Sequence, residues 1–240
     1  AQAGAKVLMP PYEALGRFTS PANVRKILDW LEAQPMDEVA SMVVSADMIA
    51  YGGLIASREY KCEAKDALRR LRLLLQFHAK VPKHVKLYLF ATTMRLTPTA
   101  TKEAASYRLQ LARLEELRDK YHREGAKQVL PSIERLKKIV PPAKVVEYRK
   151  IRARNHEVQM GLLRMMLSNN IDFLVMGQDD AKPDGPHIGE NIKLRKMVDT
   201  LRLNNRVYFC EGIDQHANIL VSRSILEQGD WRPKVRVVYS

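Results

Sequence analysis

Residues 171–190, IDFLVMGQDDAKPDGPHIGE, place two adjacent carboxylates, Asp179 and Asp180, just after an apolar run that ends at Gly177. Adjacent carboxylates repel, so one takes up a proton more readily than its neighbour, which suits an acid/base group beside a charged one. Such a pair at a strand end fits glycoside hydrolysis, where carboxyl separations of about 5–5.5 Å accompany retention and about 6.5–9.5 Å inversion. The competing reading makes Asp179 a helix cap and Asp180 a solvated turn residue. His187 and Glu190, three apart, share a helix face. With Asp179 and Asp180 they make an alternative, oxygen-rich site for a divalent metal, though the spacing matches no zinc signature.

Other polar residues follow other apolar runs. After residues 39–46 come Asp47, Tyr51-Gly52-Gly53 and Ser57-Arg58. The glycine pair admits close backbone approach, and Arg58 can fork onto an anion or a sugar hydroxyl; the alternative is a tight turn with Arg58 at the surface. After residues 85–91 come Thr92, Thr93 and Arg95, a weak signal because threonine is common at strand ends. Arg152, Arg154, Asn155 and His156 lie in a helical stretch. Arg154 and Asn155 are neighbours, so at most one of them shares the direction of Gln159, and a solvated basic face is the local expectation. Glu211 and Asp214 follow a further run, with Asp214 placed to cap the last helix. Taken together, Asp47, Arg58, Arg95, Asp179, Asp180, Glu211 and Asp214 are expected to line one cleft at the carboxyl ends of strands, where α/β proteins bind ligands. Carboxylates with guanidinium and hydroxyl partners suit a sugar or another polyhydroxylated small molecule. No nucleophile elbow, Walker loop or GxGxxG fingerprint occurs, which disfavours acyl hydrolases, P-loop kinases and nicotinamide oxidoreductases, and no cofactor is expected.

The elements that must position these residues alternate. Strands are expected over 6–10, 39–46, 85–91, 172–176, 207–210 and 234–238. Helices are expected from Ser20-Pro21 to about 34, over 63–80, 102–124, 132–139 and 143–167, from about 190 to 203, and over 215–228. Alternation implies an α/β fold of mostly parallel βα repeats with helices on both faces. An open doubly wound sheet is the first expectation and an incomplete β/α barrel the alternative. The chain reads as a single α/β domain over 1–240, with the helical block 102–167 as an insertion that forms a hairpin or a lid subdomain.

The chain has 240 residues, 46% of them hydrophobic, enough for a substantial core. No apolar run approaches the roughly 18 residues of a membrane span. Two cysteines, Cys62 and Cys210, make neither a disulfide framework nor a zinc site, which points to a reducing compartment. The cytoplasm is expected, with the mitochondrial matrix or another organelle after removal of a targeting peptide as the alternative. Forty basic residues against 27 acidic ones leave a formal charge of +13. This excess favours anionic partners, although each basic stretch (61–72, 113–127, 135–154, 193–206) reads singly as a solvated helix face. No RNA-recognition, helix-turn-helix or zinc-finger signature accompanies it.

The segments SADMIAYGGLIASR at 45–58, RARN at 152–155, GQDDAKPDGPHIGE at 177–190 and EGIDQHANILVSR at 211–223 resemble motifs of a bacterial family catalogued only as a domain of unknown function. The likeness extends to MPPYEALG at 9–16. It implies functional weight on Asp47, Tyr51, Arg58, Arg154, Asn155, Asp179, Asp180 and Glu190. Members of that family are roughly twice this length; they begin with an additional strand bearing an Asp-Arg-Pro motif and continue past this chain's last strand, so the chain looks truncated at both ends relative to them. The vicinal Asp pair is also similar to that of glycosidases that use a substrate acetamide as nucleophile, which implies Asp179 as the orienting carboxylate and Asp180 as the acid/base. The first functional expectation is therefore a carbohydrate-active hydrolase. The alternative is a catalytically lapsed basic subunit of a large nucleoprotein or organellar assembly, binding RNA or protein.

Overall fold

The structure is a computed structural model that describes residues 4–168, 170–179, 182–231, 234 and 236. Among the described residues, four strands, β1 (Ser41–Ser45), β2 (Lys86–Thr93), β3 (Phe173–Gln178) and β4 (Val207–Glu211), form one sheet in the order β1-β2-β3-β4. All three pairings are parallel. The helices are α1 (Val24–Glu32), α2 (Ala46–Tyr51), α3 (Ala64–His78), α4 (Arg108–Glu124), α5 (Leu130–Ile139), α6 (Pro142–Met165), α7 (Pro186–Thr200) and α8 (His216–Gln228).

Both faces of the central strands are covered, which is why β2 and β3 carry apolar residues in succession rather than in alternation. Leu87, Leu89 and Ala91 of β2 and Leu174 and Met176 of β3 face a core completed by Ala50 of α2, Leu71 and Leu74 of α3, Leu162 of α6 and Leu194 of α7. Tyr88 and Val175 point the other way, onto Leu220 of α8. A closed barrel fills its interior with side chains alone. Here a helix lies on the second face, so the open doubly wound sheet is the fold and the barrel alternative is discarded.

The helical block divides along α6. Ile151 and Tyr148, in its first half, pack with Leu111, Leu114 and Leu117 of α4 and Ile133 and Leu136 of α5 in a separate cluster. Val158, Leu162 and Leu163, in its second half, belong to the core beneath the sheet. The second half of α6 is therefore a layer of the α/β fold rather than part of an insertion.

Several local expectations are corrected. Residues 6–10 pair with no strand among the described residues, and Val7 and Met9 are exposed. Ser20 does not start α1, because it closes a tight turn with Arg17 through reciprocal backbone hydrogen bonds of 2.9 and 3.0 Å. Asn23 is the cap instead, its side chain accepting from the Lys26 amide. The loop foreseen after β1 begins with α2, capped by Ser45 and ended by Gly52 at φ 87°, a left-handed conformation that favours glycine. β3 does not stop at Met176 but runs through Gln178. α7 starts at Pro186, so His187 lies in its first turn. Gln215, not Asp214, precedes α8. The strand foreseen over 234–238 lies outside the described residues apart from Lys234 and Arg236.

Gly177 is where α8 meets the sheet. A Cβ there would fall 1.8 Å from the ring of His216, which is itself 1% exposed, and 2.8 Å from the Gly212 carbonyl. Gly177→Ala is therefore expected to destabilise by about 1–3 kcal/mol through overpacking. Gly189→Ala, within α7 and with nothing near its new methyl, is expected to be neutral or to stabilise by up to about 1 kcal/mol. Denaturant unfolding of both variants checks this, and equal effects would contradict it.

Candidate functional site

The carboxyl ends of β1, β2 and β3 meet α2, α6 and α7 in a group of buried polar side chains. Asp47, in the first turn of α2, is 6% exposed and accepts from the Thr92 amide at the end of β2 at 3.0 Å. Burial raises its pKa from 3.8 to about 7, against the opposing pull of the Thr92 hydroxyl and amide and of the Arg58 and Arg154 guanidiniums. Beside it is a void of about 10 Å³, bordered by Asp47, Tyr51, Asn155 and Gln159, the size of a single water.

Arg58 follows α2 in a 3-10 turn, and its guanidinium donates to the Asp179 carboxylate. Both side chains are 8% exposed. This ion pair replaces both bland readings, since Arg58 is not at the surface and Asp179 does not cap α7, whose N-terminal cap position is Gly185. The Asp179 backbone is fixed as well: its amide donates to the Thr93 carbonyl at 3.2 Å, and its carbonyl accepts from Gln178 Nε2 at 2.8 Å. Gln178 Oε1 in turn accepts from Asn191 of α7, whose Oδ1 accepts from the Thr93 hydroxyl. Gln159 of α6 donates to that same hydroxyl at 3.4 Å. Asp180 lies outside the described residues.

Arg152 and Arg154 of α6 do not lie on a solvated face. Arg152, Arg154, Asn155 and Gln159 are 3–6% exposed, because α6 is enclosed by α3 on one side and α7 on the other. Arg154 donates to the carbonyls of Ser57, Glu59 and Cys62 and to Asn155 Oδ1. Its guanidinium carbon lies 4.6 Å from the centre of the Tyr51 ring. Asn155 Nδ2 also donates to the Ser57 carbonyl, at 3.1 Å. Neighbours on a helix thus reach one carbonyl, since the long Arg154 side chain folds back over Asn155. Arg152 makes a two-pronged pair with Glu190 at 2.8 and 2.6 Å and donates to the Arg95 carbonyl at 2.9 Å.

Glu190 is therefore committed to Arg152, and His187 Nε2 lies 2.9 Å from the Lys182 carbonyl. His187 Nδ1 is buried without a hydrogen-bond partner among the described residues, and Asp180, the remaining member of the alternative metal set, lies outside them. Among the described residues, no three His, Cys, Asp or Glu side chains come together as ligands. The residues just before α7 are also braced from α4. Asp119 accepts from the Gly185 amide at 3.0 Å, and Arg123 donates to Asp184 at 2.5 Å. Arg95 turns its Nε to the Thr97 carbonyl. Glu211 and Asp214 are exposed and take part in none of the hydrogen bonds of this group. A strand-end position brings Asp47 and Asp179 together without bringing Asp214.

A groove of about 400 Å³ opens from Arg58 between α4, α6 and the segment after β2, within the usual range for ligand sites. Tyr60, Tyr107, Tyr148, Thr97, Thr99 and Thr101 line it. Of these only Tyr148 has a sequence cue, four residues before Arg152 on one helix face, and Arg152 donates to its hydroxyl.

The chain belongs to a family described as protein of unknown function, DUF4127, whose family model matches residues 1–240. No curated protein and no solved structure matches it. No helix among the described residues is long and apolar enough to cross a membrane.

The raised Asp47 pKa has a signed consequence for stability. The fold holds a proton that the unfolded chain gives up near pH 3.8, so stability from this group is full below that pH and is lost as pH rises to about 7. Asp47→Asn keeps an acceptor for the Thr92 amide and carries no such proton. Its stability relative to the parent is expected to climb between pH 4 and pH 7, by at most about 4 kcal/mol, and then level off. Denaturant unfolding at pH 4, 5.5, 7 and 8 reads it out, and a difference that stays flat would contradict the assignment.

Proposed function

We propose that this member of the DUF4127 family is a carbohydrate-active hydrolase in which Asp179 and Asp180 act on a sugar held in the groove beside Arg58. The observation that carries this reading is the double membership of Arg58, which lines the groove and also binds the Asp179 carboxylate. A ligand in the groove therefore lies next to the ion pair at the end of β3. Tyrosine and threonine side chains suit a ring with an apolar face and hydroxyl edges. Asp179, with both its backbone groups and its carboxylate fixed, acts as the orienting and charge-stabilising group, and Asp180 acts as the acid/base. Asp47, whose carboxyl exchanges its proton near neutrality, sets the charge behind Arg58 and is placed as a supporting group.

A second reading, a catalytically lapsed basic subunit of an RNA-containing assembly, is favoured by the formal charge of +13. It requires RNA affinity that falls steeply as salt rises, and no binding to anionic polymer at low salt would remove it.

Replacing Asp179 or Asp180 by Asn is expected to lower turnover of aryl glycosides by about 10²-fold or more. Circular dichroism should show each variant folded, with Asp179→Asn the less stable because Arg58 keeps its buried charge. Undiminished turnover in both variants would overturn the hydrolase reading.

A further inference from the structure

The groove differs in charge from the protein around it. Among its lining residues, Arg58, Lys61 and Lys144 carry positive charge and Glu59, Glu103 and Glu147 negative charge, so on a chain of formal charge +13 the groove has none in sum. Each cation is also already engaged. Lys144 lies 2.5 Å from Glu103 and 3.0 Å from Glu147, Lys61 lies 2.7 Å from Glu59, and Arg58 holds Asp179. An anionic ligand entering here must displace a carboxylate already in place, and it gains no net attraction from the lining.

Two groups at the wall lack partners among the described residues. Thr99 Oγ1 is buried with no hydrogen-bond partner among the described residues, a desolvated state that a ligand hydroxyl would relieve. Tyr107 is half-buried, and among the described residues nothing hydrogen-bonds its hydroxyl or stacks on its ring. Tyr60 differs, since an ammonium, Lys150 Nζ, sits 3.8 Å from its ring centre and its hydroxyl donates to Glu63.

From the balanced lining and these two unmet groups we infer that the groove takes an uncharged glycan and discriminates against sugars bearing carboxylate or phosphate. The ring of one residue stacks on Tyr107, and a hydroxyl of the glycan bonds Thr99. The inference rests on the hydrolase reading for its biological sense, but its test does not depend on turnover.

Isothermal titration of the parent protein with a neutral N-acetylated oligosaccharide and with an oligogalacturonate of equal length tests it, each alone and then in competition. The neutral glycan is expected to bind, with affinity falling about tenfold in Tyr107→Ala, as for a lost stacking contact, and about fivefold in Thr99→Val, as for a lost hydrogen bond. Both variants are surface-near changes whose folding is checked by circular dichroism. An oligogalacturonate that fails to displace the neutral glycan, even if it binds elsewhere on the basic surface, supports the inference. Displacement by the oligogalacturonate at equal or lower concentration overturns it, as does neutral-glycan binding that neither variant weakens. Absence of any glycan binding overturns the groove assignment too, while aryl-glycoside turnover, which reports on the Asp pair, still decides the hydrolase reading separately.

Discussion

Arg154 holds the turn after α2 from inside the protein. Its guanidinium has five N–H donors and no acceptor, and it spends them on the carbonyls of Ser57, Glu59 and Cys62 and on Asn155, above the ring of Tyr51. A buried guanidinium stripped of such partners costs several kcal/mol, so packing α6 against the sheet fixes residues 57–62 at the same time. Arg58 lies within that stretch, and its reach to Asp179, 121 residues away, follows from where Arg154 sets the backbone. Two guanidiniums and two carboxyls, Arg58, Arg154, Asp47 and Asp179, then share one buried region. Their formal charges cancel when Asp47 is ionised and leave one positive charge when it is protonated.

The same helix joins this buried group to the groove. The first half of α6 supplies Tyr148 and Ile151 to the groove wall, while its second half supplies Gln159 to the amide chain that fixes Asp179. Arg152 bonds Glu190 and thereby ties α6 to α7. Asp119 and Arg123 tie α4 to Gly185 and Asp184, just before α7. A shift of α4 or α6 that widened the groove would also move the carboxylate at its end, so ligand binding and the position of Asp179 are coupled through contacts already present.

The alternation of strands and helices was legible because it rests on apolar runs, which burial on both sheet faces makes nearly continuous. The sequence also located Asp47, Arg58 and Asp179, since charged residues beside glycines at strand ends stand out. Their neighbours did not. Arg152, Arg154 and Asn155 look like a wet helix face because the usual amphipathic stripe is absent when a helix is enclosed on several sides. Thr93, Gln159, Gln178 and Asn191 are neutral and scattered, and only their contact reveals them. Asp214 shows the opposite failure, for a residue can follow a strand and still point to solvent. Ser20 has the right type for a cap, yet its turn with Arg17 leaves that role to Asn23.

The coupling between Arg58 and Asp179 is the most direct test of this account, and a double-mutant cycle measures it. Unfolding free energies of the parent, Arg58→Met, Asp179→Asn and the double variant at neutral pH give the interaction energy. The structure predicts about 2 kcal/mol or more, with the double variant more stable than the sum of the single losses implies. Additive losses, with a coupling near zero, would mean that the two side chains do not meet and that the site described around them does not exist.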